Sequence, residues 1–174
     1  MKLLIFAGLL LCACSSMTAS QPADDLDLRV RLTTGEHSRD SSSQTTTLTI
    51  APDASTIGWA QTFTGRRRGT PPEKKEFKLS ATDRADLLKL IRAKDLLLTR
   101  SIELPPDPSR YMYFSLSLDL ALDGKQGAIS ISGPRTAASV KDEKVYQDTL
   151  ALVREIYRIM KIQDKTVYFE ELVR

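Results

Sequence analysis

Between Met112 and Leu122 every second residue is apolar: Met112, Phe114, Leu116, Leu118, Leu120 and Leu122 alternate with Tyr111, Tyr113, Ser115, Ser117, Asp119 and Ala121. Side chains on a strand point alternately to opposite faces, so this two-residue period describes a strand with one buried side. The run ends at Asp123-Gly124, a pair suited to the positive φ angles of a two-residue hairpin turn. A turn there sets Leu118 opposite Ile129 and Leu116 opposite Ile131 on one face, with Ser117 opposite Ser130 and Asp119 opposite Ala128 on the other. A slip of one residue would turn every one of those leucines to water. The chain is therefore bound to build an antiparallel sheet with one apolar and one polar face.

The same period recurs upstream. Leu26, Leu28, Val30 and Leu32 alternate with Asp27, Arg29, Arg31 and Thr33. Gly35 to Ser43 is polar and reads as a loop, and it carries the single histidine, His37, as a solvated residue. Thr46, Leu48 and Ile50, then Ile57, Trp59, Gln61 and Phe63, give a hairpin closed around Pro52 and Asp53. Glu76 to Leu79 closes the meander, with Phe77 and Leu79 inward. Gly133-Pro134 stops the later hairpin.

Two stretches change to the helical period. Ser80-Ala-Thr-Asp83 has the form of a helix start, where the serine oxygen accepts an orphan N–H and Asp83 favours the positive end of the dipole. A helix follows from Ala81 to about Lys94 with Leu87, Leu88 and Ile91 buried. Ser139 is the candidate cap of a second helix that carries Val145, Thr149, Leu152, Val153, Ile156 and Met160 along one side, with Asp142 and Glu143 at its start. Val167 and Phe169 suit a last short strand or a docked tail. The expected fold is α+β: a mainly antiparallel sheet of about five to six strands, with both helices packed on its apolar face. Thr45, Thr47, Ser115, Ser117 and Ser130 then line the exposed face.

The first fourteen residues, MKLLIFAGLLLCAC, belong to none of this. Lys2 precedes an apolar run, Leu3 to Leu11, too short for the roughly 20 residues that span a bilayer. Its length and flanks fit a secretory signal. Leu11-Cys12-Ala13-Cys14 resembles the lipobox of bacterial lipoproteins. That resemblance implies diacylation of Cys14, cleavage just before it, and a mature chain that starts there. Two or three acyl chains hold a protein firmly in a membrane, since each buried CH₂ contributes about 0.8 kcal/mol. Ser15 rather than Asp after the cysteine implies outer-membrane sorting, facing the periplasm, in a Gram-negative cell. The alternative is an ordinary secretory signal cut near Ala19. The expected organisation is a signal peptide over 1–13, a lipidated cysteine and polar tether over 14–24, and one domain over 25–174.

Composition narrows the function classes. The formal net charge is +3, and Lys2 leaves with the leader, so a dedicated nucleic-acid binder is not indicated. Cys12 leaves too and Cys14 is the lipid site, so no disulfide is expected. One loop histidine and no clustered ligands give little footing for nucleophilic or metal-assisted chemistry. No catalytic residue, metal or cofactor is expected. Gly65 to Lys75 concentrates Arg66, Arg67, Arg68, Lys74 and Lys75, read either as a solvated hairpin tip or as a contact for phosphate headgroups or an acidic partner. Pro105, Pro106 and Pro108 form a rigid loop, equally a recognition element or a plain connection.

The expectation is an envelope interaction or structural module, bound to the membrane through Cys14, with another envelope protein as its candidate partner. The order of meander, helix, hairpin and helix also resembles, in layout alone, the emfourin-like metalloprotease inhibitors. That resemblance implies an inhibitor that engages its target through an exposed rigid loop such as the proline loop.

Overall fold

In the computed structural model, residues 25–36, 42–65, 71–103, 112–134 and 144–167 are described. They form one seven-stranded sheet and two helices. In chain order the elements are β1 (Asp27–Glu36), β2 (Ser43–Ile50), β3 (Thr56–Phe63), β4 (Glu73–Lys78), α1 (Ala81–Ala93), β5 (Thr99–Glu103), β6 (Met112–Leu122), β7 (Lys125–Pro134) and α2 (Lys144–Gln163). The strands lie in the order β4-β3-β2-β1-β6-β7-β5. All neighbours are antiparallel except β5, which runs parallel to β7.

The β6–β7 hairpin has the expected register, with Leu118 paired to Ile129, Leu116 to Ile131 and Ser117 to Ser130. Its turn residues Asp123 and Gly124 have φ of 53° and 76°, the left-handed region that a two-residue turn matched to strand twist requires. β1 is the central strand, paired to β2 on one side and β6 on the other. Leu28, Val30, Leu48, Ile57, Leu118, Ile129 and Ile131 all face the same side and join Leu87, Ile91, Leu152, Val153 and Ile156 of the helices in one buried cluster. The two helices thus cover the apolar face, as the fold class expected.

α1 begins as its sequence dictates. The Ser80 hydroxyl accepts from the Asp83 N–H at 3.1 Å and donates to the Asp83 carboxylate at 2.5 Å. Beyond its last turn Asp95 adopts φ of 50° and turns the chain away. Residues 96–98 then pass directly over Gly127, where an added Cβ would lie 2.7 Å from the Leu96 carbonyl oxygen and 2.8 Å from the Leu98 nitrogen. The Ala128 N–H donates to the Leu98 carbonyl at 2.9 Å, which starts the β5 pairing.

Three elements differ from expectation. β5 adds a seventh strand and makes the sheet mixed. Of its five residues only Ile102 packs against the core, while Arg100 on the same side is exposed, so an edge strand held by backbone pairing carries no apolar alternation to read. β1 extends through Gly35 and Glu36, which read as loop. Gly35 has no side chain to mark a face, and the ring of Tyr113, its cross-strand partner, fills the space a Cβ would take, at 2.8 Å. β4 begins at Glu73 rather than Glu76, so Lys74 and Lys75 are strand residues and not part of a loop. Val167 is buried in a turn closed by its N–H to the Asp164 carbonyl at 3.2 Å. Phe169, Ser139, Asp142, Glu143 and His37 lie outside the described residues.

Candidate functional site

Among the described residues, no helix lies over the polar face of the sheet. Across it run rows of directly opposed residues, which the registers fix. One row reads Lys74, Ala60, Thr47, Arg31, Ser117, Ser130, Ser101 from β4 to β5. A second reads Glu76, Gly58, Thr49, Arg29, Asp119, Ala128, Thr99. A third, one step toward the other end, joins Thr62, Thr45, Thr33, Ser115 and Ser132. Hydroxyls and small residues dominate because alternation puts the apolar set on the other side. Thr33 and Thr45 bond to each other at 3.0 Å.

Two shallow depressions lie on this face. One, of about 470 Å³, is lined by Thr47, Thr49, Gly58, Ala60, Lys74 and Glu76. Gly58 allows it, for a Cβ there would meet the Thr49 hydroxyl at 2.6 Å. The other, of about 410 Å³, is lined by Asp27, Arg29, Asp119, Ala121, Gln126, Ala128 and Thr99. Six strand spacings of about 4.8 Å and strands of about 30 Å give this face on the order of 800 Å², the share one partner contributes to a standard interface.

Of the basic residues singled out in the sequence, Lys74 and Lys75 take opposite sides of β4. Lys74 is exposed on the open face. Lys75 faces the helices: its ammonium lies 5.7 Å from the centre of the Trp59 ring, 3.0 Å from the Asp164 carboxylate and 3.3 Å from Glu73. The bond to Asp164 holds the Lys75 ammonium above its ordinary value. Asp164 accepts from the Thr166 hydroxyl at 2.6 Å and from the Thr166 N–H at 2.9 Å. Those bonds, with Lys75 after them, lower its carboxyl to about 2. Lys75 is thus committed to joining β4 to the end of α2. Arg66, Arg67 and Arg68, the prolines 105, 106 and 108, and Cys14 lie outside the described residues.

Sequence reasoning missed the Lys75 tie, yet Phe77 and Leu79 facing inward already place Lys75 on the same side by parity. It also missed Asp148. That carboxylate, 7% exposed, is gripped by Lys144 one turn before it and by Lys94 from the end of α1 at 2.9 Å. Burial works to raise it, and the bonds to Lys144 and Lys94 outweigh that, leaving it below the ordinary value. The Lys144 spacing was readable; Lys94 arrives only through the fold. Among the described residues, no three His, Cys, Asp or Glu side chains gather as a metal site. No helix among them is long and apolar enough to cross a membrane.

Neither protein-family models nor curated proteins match this chain.

Proposed function

We propose that this is a cell-envelope lipoprotein, held to the membrane by acylated Cys14, whose domain presents the open face of its sheet to another envelope protein and carries out no catalysis. One observation supports the contact surface above others: among the described residues, seven strands present a single broad polar face and both helices lie on its opposite side. Such a face offers interface area without an exposed apolar patch, and stays soluble until its partner arrives. Its charges are mixed, with Arg29, Arg31 and Lys74 against Asp27, Glu76 and Asp119, which suits recognition by register of opposite charges.

The leader supports the anchor, and Ser15 supports the outer membrane facing the periplasm. Arg66, Arg67 and Arg68 precede β4, and each basic side chain close to an anionic membrane contributes about 1 kcal/mol. The test is palmitate labelling and membrane fractionation of the full chain against Cys14→Ser, followed by cross-linking of the membrane-held protein. Loss of label and of membrane retention in the variant is expected. Unchanged behaviour contradicts the anchor, and capture of a protease in one-to-one complex would favour an inhibitor instead.

A further inference from the structure

Among the described residues β4 is an edge strand, and its outer edge is occupied at one residue in an unusual way. The Lys78 N–H donates to the Gln163 side-chain oxygen at 2.8 Å, and the Gln163 side-chain nitrogen donates to the Lys78 carbonyl at 2.8 Å. The amide of one glutamine thus makes both bonds that a neighbouring strand would make. The Leu79 N–H donates inward to Ser55 at 2.8 Å, so odd-numbered residues of β4 serve β3 and even-numbered ones face outward. Glu76 and Lys74 therefore present backbone groups on the same edge. At the far end Pro72 has no N–H to give.

We propose that Gln163 is an edge guard that stops β4 from pairing with β4 of a second copy. The occupant it excludes is set by charge. An antiparallel pairing centred on Lys75 puts Lys74 opposite Glu76 of the other copy twice over, a favourable contact on each side of the two-fold axis. Lys75 then faces its own counterpart, with its charge already met by Asp164 and Glu73. In this register Lys78 comes opposite Pro72 of the other copy, so continuation past Glu76 rests on the Lys78 N–H donating to the Pro72 carbonyl, and Gln163 holds that N–H. Exposed strand edges are templates for association, and chains confined to a surface meet at high local concentration.

The test uses the full-length chain in detergent with Glu76 and Lys74 intact, comparing wild type with Gln163→Ala. Amide exchange at Lys78 is expected to speed up at least tenfold in the variant. Lysine- and carboxyl-independent photo-cross-linking from a probe at Pro72 is expected to give a concentration-dependent dimer in Gln163→Ala and none in wild type. Adding Glu76→Lys, which sets lysine against lysine, is expected to remove that dimer. Gln163→Glu, which still accepts from the Lys78 N–H but cannot donate to its carbonyl, is expected to fall between. A folded Gln163→Ala or Gln163→Glu that stays monomeric at every concentration overturns the proposal, as does a dimer that survives Glu76→Lys.

Discussion

The two faces of this sheet are made from the same strands yet obey different rules. On the helix side Val30, Leu118 and Ile131 are fully buried, and each side chain is fixed by those around it. On the other side Arg31, Ser117 and Ser130, each one residue away along its strand, form a row of directly opposed polar side chains turned to solvent. Fold is determined by the first set, which leaves the second free to serve recognition. The largest test of that division is a pair of truncations. Leu118→Ala is expected to lower stability by about 3–5 kcal/mol, and Ser117→Ala, its neighbour, to change it by under about 0.5 kcal/mol. Urea unfolding of both distinguishes the faces directly, and similar losses would break the comparison.

Gly127 tests the place where the chain leaving α1 crosses tightly over β7. Valine there forces the backbone of residues 96–98 away and is expected to cost about 1–3 kcal/mol and to loosen β5 selectively. Faster amide exchange at Ala128, whose N–H bonds Leu98, is the readout.

How much of this was legible follows from what each contact depends on. The hairpin register and the α1 cap come from residues close in sequence, and the alternation of Leu116, Leu118 and Leu120 with Ser115, Ser117 and Asp119 declared both faces before any coordinates. β5 and the end of β1 were hidden because backbone pairing and a glycine filled by Tyr113 leave no pattern in the residues themselves. The open face was legible as polar; its rows were not, because they cross five and more strands whose neighbours the sequence does not order. Asp148 and Asp164 show the same limit, since Lys94 and Lys75 reach them from distant elements.

Those two carboxylates sharpen the comparison on the helix side. Asp148→Asn gives up charge-assisted bonds between the helices and is expected to cost about 1–2 kcal/mol at neutral pH. Asp164 has a smaller, pH-dependent effect. Its folded value of about 2 is below the ordinary 3.8, so its stabilising contribution is complete above about pH 4 and is lost as pH falls through 2. In Asp164→Asn the melting temperature is expected to be less sensitive to pH across that window than in wild type, and an unchanged acid profile would contradict the Lys75–Asp164–Thr166 arrangement. On the open face, Arg31→Glu combined with Lys74→Glu is expected to leave stability within about 0.5 kcal/mol while removing partner capture.

The most direct measurement places a photo-activatable side chain at Ser117, at the middle of the open face, and at Lys89, exposed on α1, in the membrane-held protein in cells. A discrete adduct with one envelope protein from Ser117, and none from Lys89, is the predicted result. Adducts of equal yield from both positions, or from Lys89 alone, would contradict the assignment of the open sheet face as the working surface.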